Sequence, residues 1–153
     1  MEYESKGARI RDLRILTPSG RQVNHLKMGR TYVFDYFVDF EKQATQVVFG
    51  MLIKTLGGLE LSGVSNKFID QRILTIEEGK QLHVKISFCC DLLPGVFVLN
   101  AGIMGQINGE ESQYLHRILD SLLFRVIEVS ELNSTGFVNL KARPSFTIYN
   151  QHQ

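Results

Sequence analysis

Neither sign of charge is in excess in this sequence. Seventeen Lys and Arg against sixteen Asp and Glu leave a formal charge of +1 over 153 residues. The basic residues are spread along the chain. Binding to nucleic acid or to an anionic membrane needs cations gathered into a stripe or patch, so neither partner is indicated. Cysteine is almost absent: the two present, Cys89 and Cys90, are neighbours. Neighbours on a strand point to opposite faces, which disfavours a disulfide between them, and two cysteines cannot make a disulfide framework. They read as reduced thiols, one of them buried, in a reducing compartment. No apolar run is long enough to span a bilayer. Met1-Glu2-Tyr3-Glu4-Ser5-Lys6 has no apolar core of the signal-peptide kind. We therefore expect a soluble chain in which residues 1–7 are a linker, 8–149 one domain and 150–153 a tail.

The machinery of catalysis is also missing. There is no Gly-rich phosphate loop with its Lys, so the chain cannot hydrolyse ATP on that pattern. His25, His83, His116 and His152 never fall at metal-ligand spacing, with no His-x-His and no His-Glu-x-x-His. We expect no cofactor, no metal and no enzyme. Asp35 and Asp39, four residues apart on one strand face, are the one pair to weigh for calcium or acid/base work; a solvated sheet face is the plainer reading. His83 and Lys85 face outward on another strand and read as solubilising, with a sugar contact as the alternative.

What the sequence has is a period of two. Thr31 to Phe40 puts Tyr32, Phe34, Tyr36, Val38 and Phe40 on one face, and Gln81 to Phe88 puts Leu82, Val84, Ile86 and Phe88 on one face. Gln46 to Leu56 and Gly95 to Gly105 are further strands, Leu123 to Val129 and Ser145 to Tyr149 shorter ones, and Ala8 to Leu16 an edge strand. Thr17-Pro18-Ser19-Gly20, Leu56-Gly57-Gly58-Leu59 and Pro94-Gly95 are turn sequences. Met28-Gly29-Arg30 and Glu78-Gly79-Lys80 read as equivalent turns entering two strands of one sheet. Glu110 to Leu122 carries Leu115, Ile118, Leu119 and Leu122 at helical spacing and predicts one short helix. About seven strands with regular turns imply an all-β, two-sheet antiparallel β-sandwich of immunoglobulin or jelly-roll type. Phe34, Tyr36, Phe49, Leu82, Val84, Ile86, Phe88, Phe97, Leu99 and Phe124 are the expected core.

One face breaks the expected inside-outside pattern. With Phe97, Leu99, Ala101 and Ile103 inward, the outward set on that strand is Val96, Val98, Asn100, Gly102 and Met104. On Gln46 to Leu56 the outward set is Val48, Gly50, Leu52 and Lys54, and on Leu123 to Val129 it includes Arg125 and Ile127. A solvated antiparallel face is normally polar; this one is largely apolar or small, and glycine within a strand often marks the close approach of a ligand or another backbone. Either another chain or the terminal segment covers it, or it is a shallow groove for an extended ligand. On the second reading the binding residues are Leu52, Lys54, Val98, Asn100, Gly102, Arg125 and Ile127. Asn100, Lys54 and Arg125 would hydrogen-bond hydroxyls or a phosphate, and the apolar members would meet ring carbons or a methyl group.

Several segments occur in a telling order. Gly7-Ala8-Arg9-Ile10-Arg11-Asp12-Leu13-Arg14-Ile15 precedes Pro18-Ser19-Gly20, and Met28-Gly29 precedes a long aromatic strand. Leu92-Leu93-Pro94-Gly95-Val96-Phe97-Val98-Leu99-Asn100-Ala101-Gly102-Ile103 follows, and then Leu119-Asp120-Ser121-Leu122-Leu123-Phe124-Arg125-Val126. From Gly7 to Tyr149 the chain resembles the C-terminal carbohydrate-binding domain of Wzt-type O-antigen ABC exporter ATPases. The resemblance implies recognition of the finished, often modified, non-reducing terminus of an O-antigen polysaccharide, coupling chain completion to export. It implies a parent protein with an ATPase half and a transmembrane exporter subunit, at the cytoplasmic face of the bacterial inner membrane. It also implies a homodimer made by exchanging the C-terminal strand, with Lys141-Ala142-Arg143-Pro144 as a stiff hinge. The alternative is a structural dimerisation or docking module with no ligand of its own. The chain has no Trp, the residue on which many carbohydrate modules stack a sugar ring, so a groove here would rest more on hydrogen bonds and apolar contact.

Overall fold

The computed structural model describes residues 1–68, 73–128 and 134–151. Among these residues nine strands form two sheets: β1 (Ala8–Leu16), β2 (His25–Lys27), β3 (Thr31–Phe40), β4 (Ala44–Thr55), β5 (Glu60–Ser65), β6 (Ile73–Ile76), β7 (Gln81–Cys89), β8 (Gly95–Gln106) and β9 (Gln113–Ile127). The smaller sheet runs β1-β3-β7. The larger runs β2-β9-β8-β4-β5, with β6 also on β4. Every pairing is antiparallel except β2 with β9.

Period-two alternation explains the packing. On β3, Tyr32, Phe34, Tyr36, Val38 and Phe40 are all buried, and the first four oppose Phe88, Ile86, Val84 and Leu82 of β7 in register. From the larger sheet, Met51, Ile53, Phe97, Leu99, Ala101, Ile103, Phe124 and Val126 fill the same core. Phe97 and Phe124 are cross-strand partners with ring centroids 5.7 Å apart. Of the expected core, Phe49, Leu82 and Phe88 are only partly buried and pack against its edge. The turns at Gly29 and Gly79 have φ of 79° and 84° and enter β3 and β7, neighbours in one sheet, as expected.

The helix expected over Glu110 to Leu122 is not formed; the stretch from Gln113 belongs to the 15-residue strand β9. Two register slips against β8 account for the helical spacing. One separates Ile103↔His116 from Met104↔Tyr114, and the other separates Leu99↔Leu122 from Ala101↔Ile118. Each β-bulge adds residues to β9 and resets which side chains face inward. Leu115, Ile118 and Leu122 therefore all reach the core although three and four residues separate them. Asp120, at the larger bulge, has φ of 53°. The single helical turn among the described residues is a 3-10 turn at Asn66–Phe68.

Residues 1–6 and the stretch around Phe137 to Asn139 engage this framework. Residues 1–6 lie along β9: Tyr3 N–H donates to the Arg117 carbonyl, Lys6 N–H to that of Leu115, and Leu119 N–H to that of Met1. Near the C-terminus, Leu93 N–H donates to the Phe137 carbonyl and Asn139 N–H to that of Asp91. Asn133-Ser134-Thr135-Gly136, which by sequence reads as a turn, lies partly outside the described residues. The strand expected over Ser145 to Tyr149 finds no sheet partner among the described residues, and Phe146, Ile148 and Tyr149 are 86%, 85% and 76% exposed.

Candidate functional site

The outward face of the larger sheet is built by register. Val48 of β4 opposes Met104, Gly50 opposes Gly102, and Leu52 opposes Asn100. On β9, Tyr114 opposes Met104 and Arg117 opposes Gly102. On β5, Ser65 opposes Gly50 and Gly63 opposes Leu52. Directly opposed residues project to the same side, so these groups form one surface, and they line a groove of about 470 Å³.

Its floor is low because two opposed residues have no side chain. A Cβ on Gly50 would lie 2.8 Å from the Val64 carbonyl oxygen, and one on Gly102 would lie 3.1 Å from the Tyr114 ring. Beneath the floor, the buried Tyr36 of the other sheet donates its hydroxyl to the Gly50 carbonyl at 3.0 Å, with the Gly102 carbonyl at 3.5 Å. Burial raises the Tyr36 pKa well above that of a free phenol, an effect larger than the opposing bond to Gly50, so the hydroxyl stays a donor and ties the two sheets together under the groove. At one side, the buried Asn66 holds β4 by accepting from Phe49 N–H at 2.8 Å and donating to the Val47 carbonyl at 3.2 Å.

The polar groups of the groove are Asn100, Ser65, Tyr114, Lys67 and Arg117, and among the described residues no Asp or Glu lines it. Lys67 and Arg117 have no carboxylate within 4 Å among the described residues. Arg117 lies over the Tyr114 ring at 4.7 Å and the Tyr3 ring at 5.9 Å, both within cation–π reach.

The seven residues chosen from sequence separate into three groups. Leu52, Asn100 and Gly102 line the groove. Val98 lies on the same face but is 5% exposed, and Lys54 is paired with Asp120 at 2.9 Å. Asp120 N–H also donates to Asn100 Oδ1 at 2.8 Å, which leaves the Asn100 NH2 as a donor without a protein partner among the described residues. Arg125 and Ile127 sit farther along β9, against Val96 and β2, outside the groove lining. Sequence reading missed Tyr114 and Arg117, because the stretch holding them has helical spacing, and Lys67, which follows a strand it did not place.

The opposite sheet carries a different arrangement. Asp35, 1% exposed, accepts from Arg14 Nη2 at 2.8 Å and contacts His83 Nε2 at 2.7 Å. Burial pushes its carboxyl up, but these two bonds outweigh it and hold the pKa below the usual carboxylate range. Asp39 is likewise lowered, chiefly by its bond from Arg11. Both carboxylates are thus taken up in ion pairs, and no group of three metal-ligating side chains occurs among the described residues.

Together, the two packed sheets, the groove and the engaged carboxylates define a β-sandwich module with a largely apolar groove on its larger sheet. The family model of the Wzt C-terminal domain matches residues 1–140, and the chain belongs to that family, a non-catalytic domain linked to O-antigen export. The crystal structure of the C-terminal domain of Wzt superposes with a TM-score of 0.82 at 29% identity, covering 97% of this chain and 88% of that one. An alkylpurine DNA glycosylase, AlkC of Pseudomonas fluorescens, bound to DNA containing an abasic-site analog, has a TM-score of 0.51 at 16% identity. It covers 81% of this chain and 31% of that one, a likeness of fold alone. No curated protein matches the chain. Among the described residues no helix is long and apolar enough to cross a membrane.

Proposed function

We propose that the groove over Gly50 and Gly102 binds the non-reducing terminus of an O-antigen polysaccharide, and that the domain reports chain completion to an ABC exporter. The observation that carries this reading is the lining: an apolar floor lowered by two opposed glycines and, among the described residues, one amide NH2 without a hydrogen-bond partner and two cations without carboxylate partners. A sugar end offers this combination of demands, with ring carbons or a methyl group for the floor and hydroxyls or an anionic substituent for Asn100, Lys67 and Arg117. The tyrosine ring of Tyr114 provides a stacking surface in a chain without Trp. The parent protein would then carry the ATPase half and meet a transmembrane partner at the cytoplasmic face of the inner membrane.

Dimerisation belongs to the same reading. Phe146, Ile148 and Tyr149 are exposed, and a second copy exchanging this segment would cover them.

Calorimetric titration of purified O-polysaccharide, intact and trimmed at its non-reducing end, tests terminal recognition. Binding of the intact polymer with loss on trimming is expected. Equal binding, or none, would favour the alternative of a structural docking module.

A further inference from the structure

The N-terminal segment is wired to the groove through a single side chain. Its backbone pairs with β9 at Leu115, Arg117 and Leu119. Two of its side chains reach the same stretch. Glu2 Oε1 lies 3.0 Å from Nε2 of the buried His116, off the line of an ideal hydrogen bond. The Tyr3 ring lies under the Arg117 guanidinium, whose other aromatic neighbour is Tyr114 in the groove wall. The His116 ring cannot drift, because its Nδ1 accepts the Ile10 N–H at 2.7 Å. That bond leaves the proton of the neutral ring on Nε2, facing Glu2.

Arg117 therefore belongs to both structures. Its carbonyl accepts from Tyr3 N–H, its guanidinium touches the Tyr3 ring, and the same guanidinium lines the groove beside Gly102. With no carboxylate among the described residues within 4 Å to hold it, its orientation rests on the two rings.

We propose that Tyr3 is a positioning residue for the groove. It holds Arg117 in place for the ligand, and docking of residues 1–6 is thereby thermodynamically coupled to ligand capture. The inference rests on the groove being the binding site. Coupling of this kind is reciprocal: a segment that improves the affinity of the groove is itself held more tightly when the groove is filled. A flexible Arg, by contrast, would lose rotamer freedom on each capture.

The test uses the full chain with purified O-polysaccharide as probe, and reads amide exchange of residues 1–8 together with affinity. Without polysaccharide, Arg117→Ala should speed exchange at the amides of Tyr3 and Lys6. With polysaccharide, wild-type protein should exchange there more slowly. Tyr3→Ala should weaken binding about two- to fivefold, the size of one exposed cation–π contact, and Tyr3→Phe, which keeps the ring, should restore it. Tyr3 is 46% exposed, so these variants should fold. Wild-type binding with unchanged exchange at residues 1–8, or with equal affinity in Tyr3→Ala, overturns the coupling and leaves the groove reading standing. No binding by wild-type protein removes the groove reading and the coupling with it.

Discussion

Glycine at 102 and tyrosine at 36 mark the two sides of the groove floor, and each carries a prediction. Gly102 has no side chain where the Tyr114 ring passes 3.1 Å from its would-be Cβ. Tyr114 is 44% exposed and can move aside, so Gly102→Phe should leave the fold intact while filling the groove. Polysaccharide affinity should fall at least about tenfold by calorimetry, which corresponds to about 1.4 kcal/mol; an unchanged affinity would place the ligand elsewhere. Tyr36→Phe removes the hydroxyl that bonds the Gly50 carbonyl. It should cost about 0.5–1.5 kcal/mol in urea unfolding, the net value of a typical internal hydrogen bond. Asp35 adds a pH signature. Its folded pKa is held below the ordinary value by Arg14 and His83. The stability it contributes is complete above the ordinary carboxylate pKa of about 3.9 and is lost as pH falls through the folded value. Unfolding curves should show wild-type stability dropping below about pH 4, and Asp35→Asn should be less stable at pH 7 with a shallower acid limb.

At the scale of the strand, β8 and β9 behave differently in sequence and in space. β8 keeps strict alternation, so its inward and outward sets were legible without a structure: Phe97, Leu99, Ala101 and Ile103 are all buried. Phe97→Ala should cost roughly 3–5 kcal/mol through lost burial and a cavity; a cost under about 1 kcal/mol in chemical denaturation would contradict the packing described. β9 hides its parity. Its two bulges bring Leu115, Ile118 and Leu122 to the core at helical spacing, and a single sequence cannot distinguish that pattern from an amphipathic helix. The same misreading hid Tyr114 and Arg117, since residues taken for a helix were never set against Met104 and Gly102. The floor of the groove was therefore legible in the alternation of β4 and β8, and its cationic wall was not. Arg125 and Ile127 have the expected outward parity, but pairing alone reveals that they oppose Val96 and β2 rather than the glycine pair.

For the whole molecule, two apolar features have no cover among the described residues of a single chain: the groove, and the segment from Ser145 to Tyr149. Deleting residues from Ser145 onward should give a monomer by sedimentation if that segment is exchanged between copies, and a truncated protein that stays a stable dimer would rule the exchange out. The groove is best tested by locating the ligand on the folded domain. Backbone and side-chain NMR shifts should be followed on titration with an oligosaccharide carrying the natural non-reducing end. The account predicts that the largest changes fall on Gly50, Asn100, Gly102, Tyr114 and Arg117; shifts centred on Asp35, His83 and Lys85 of the opposite sheet would contradict it.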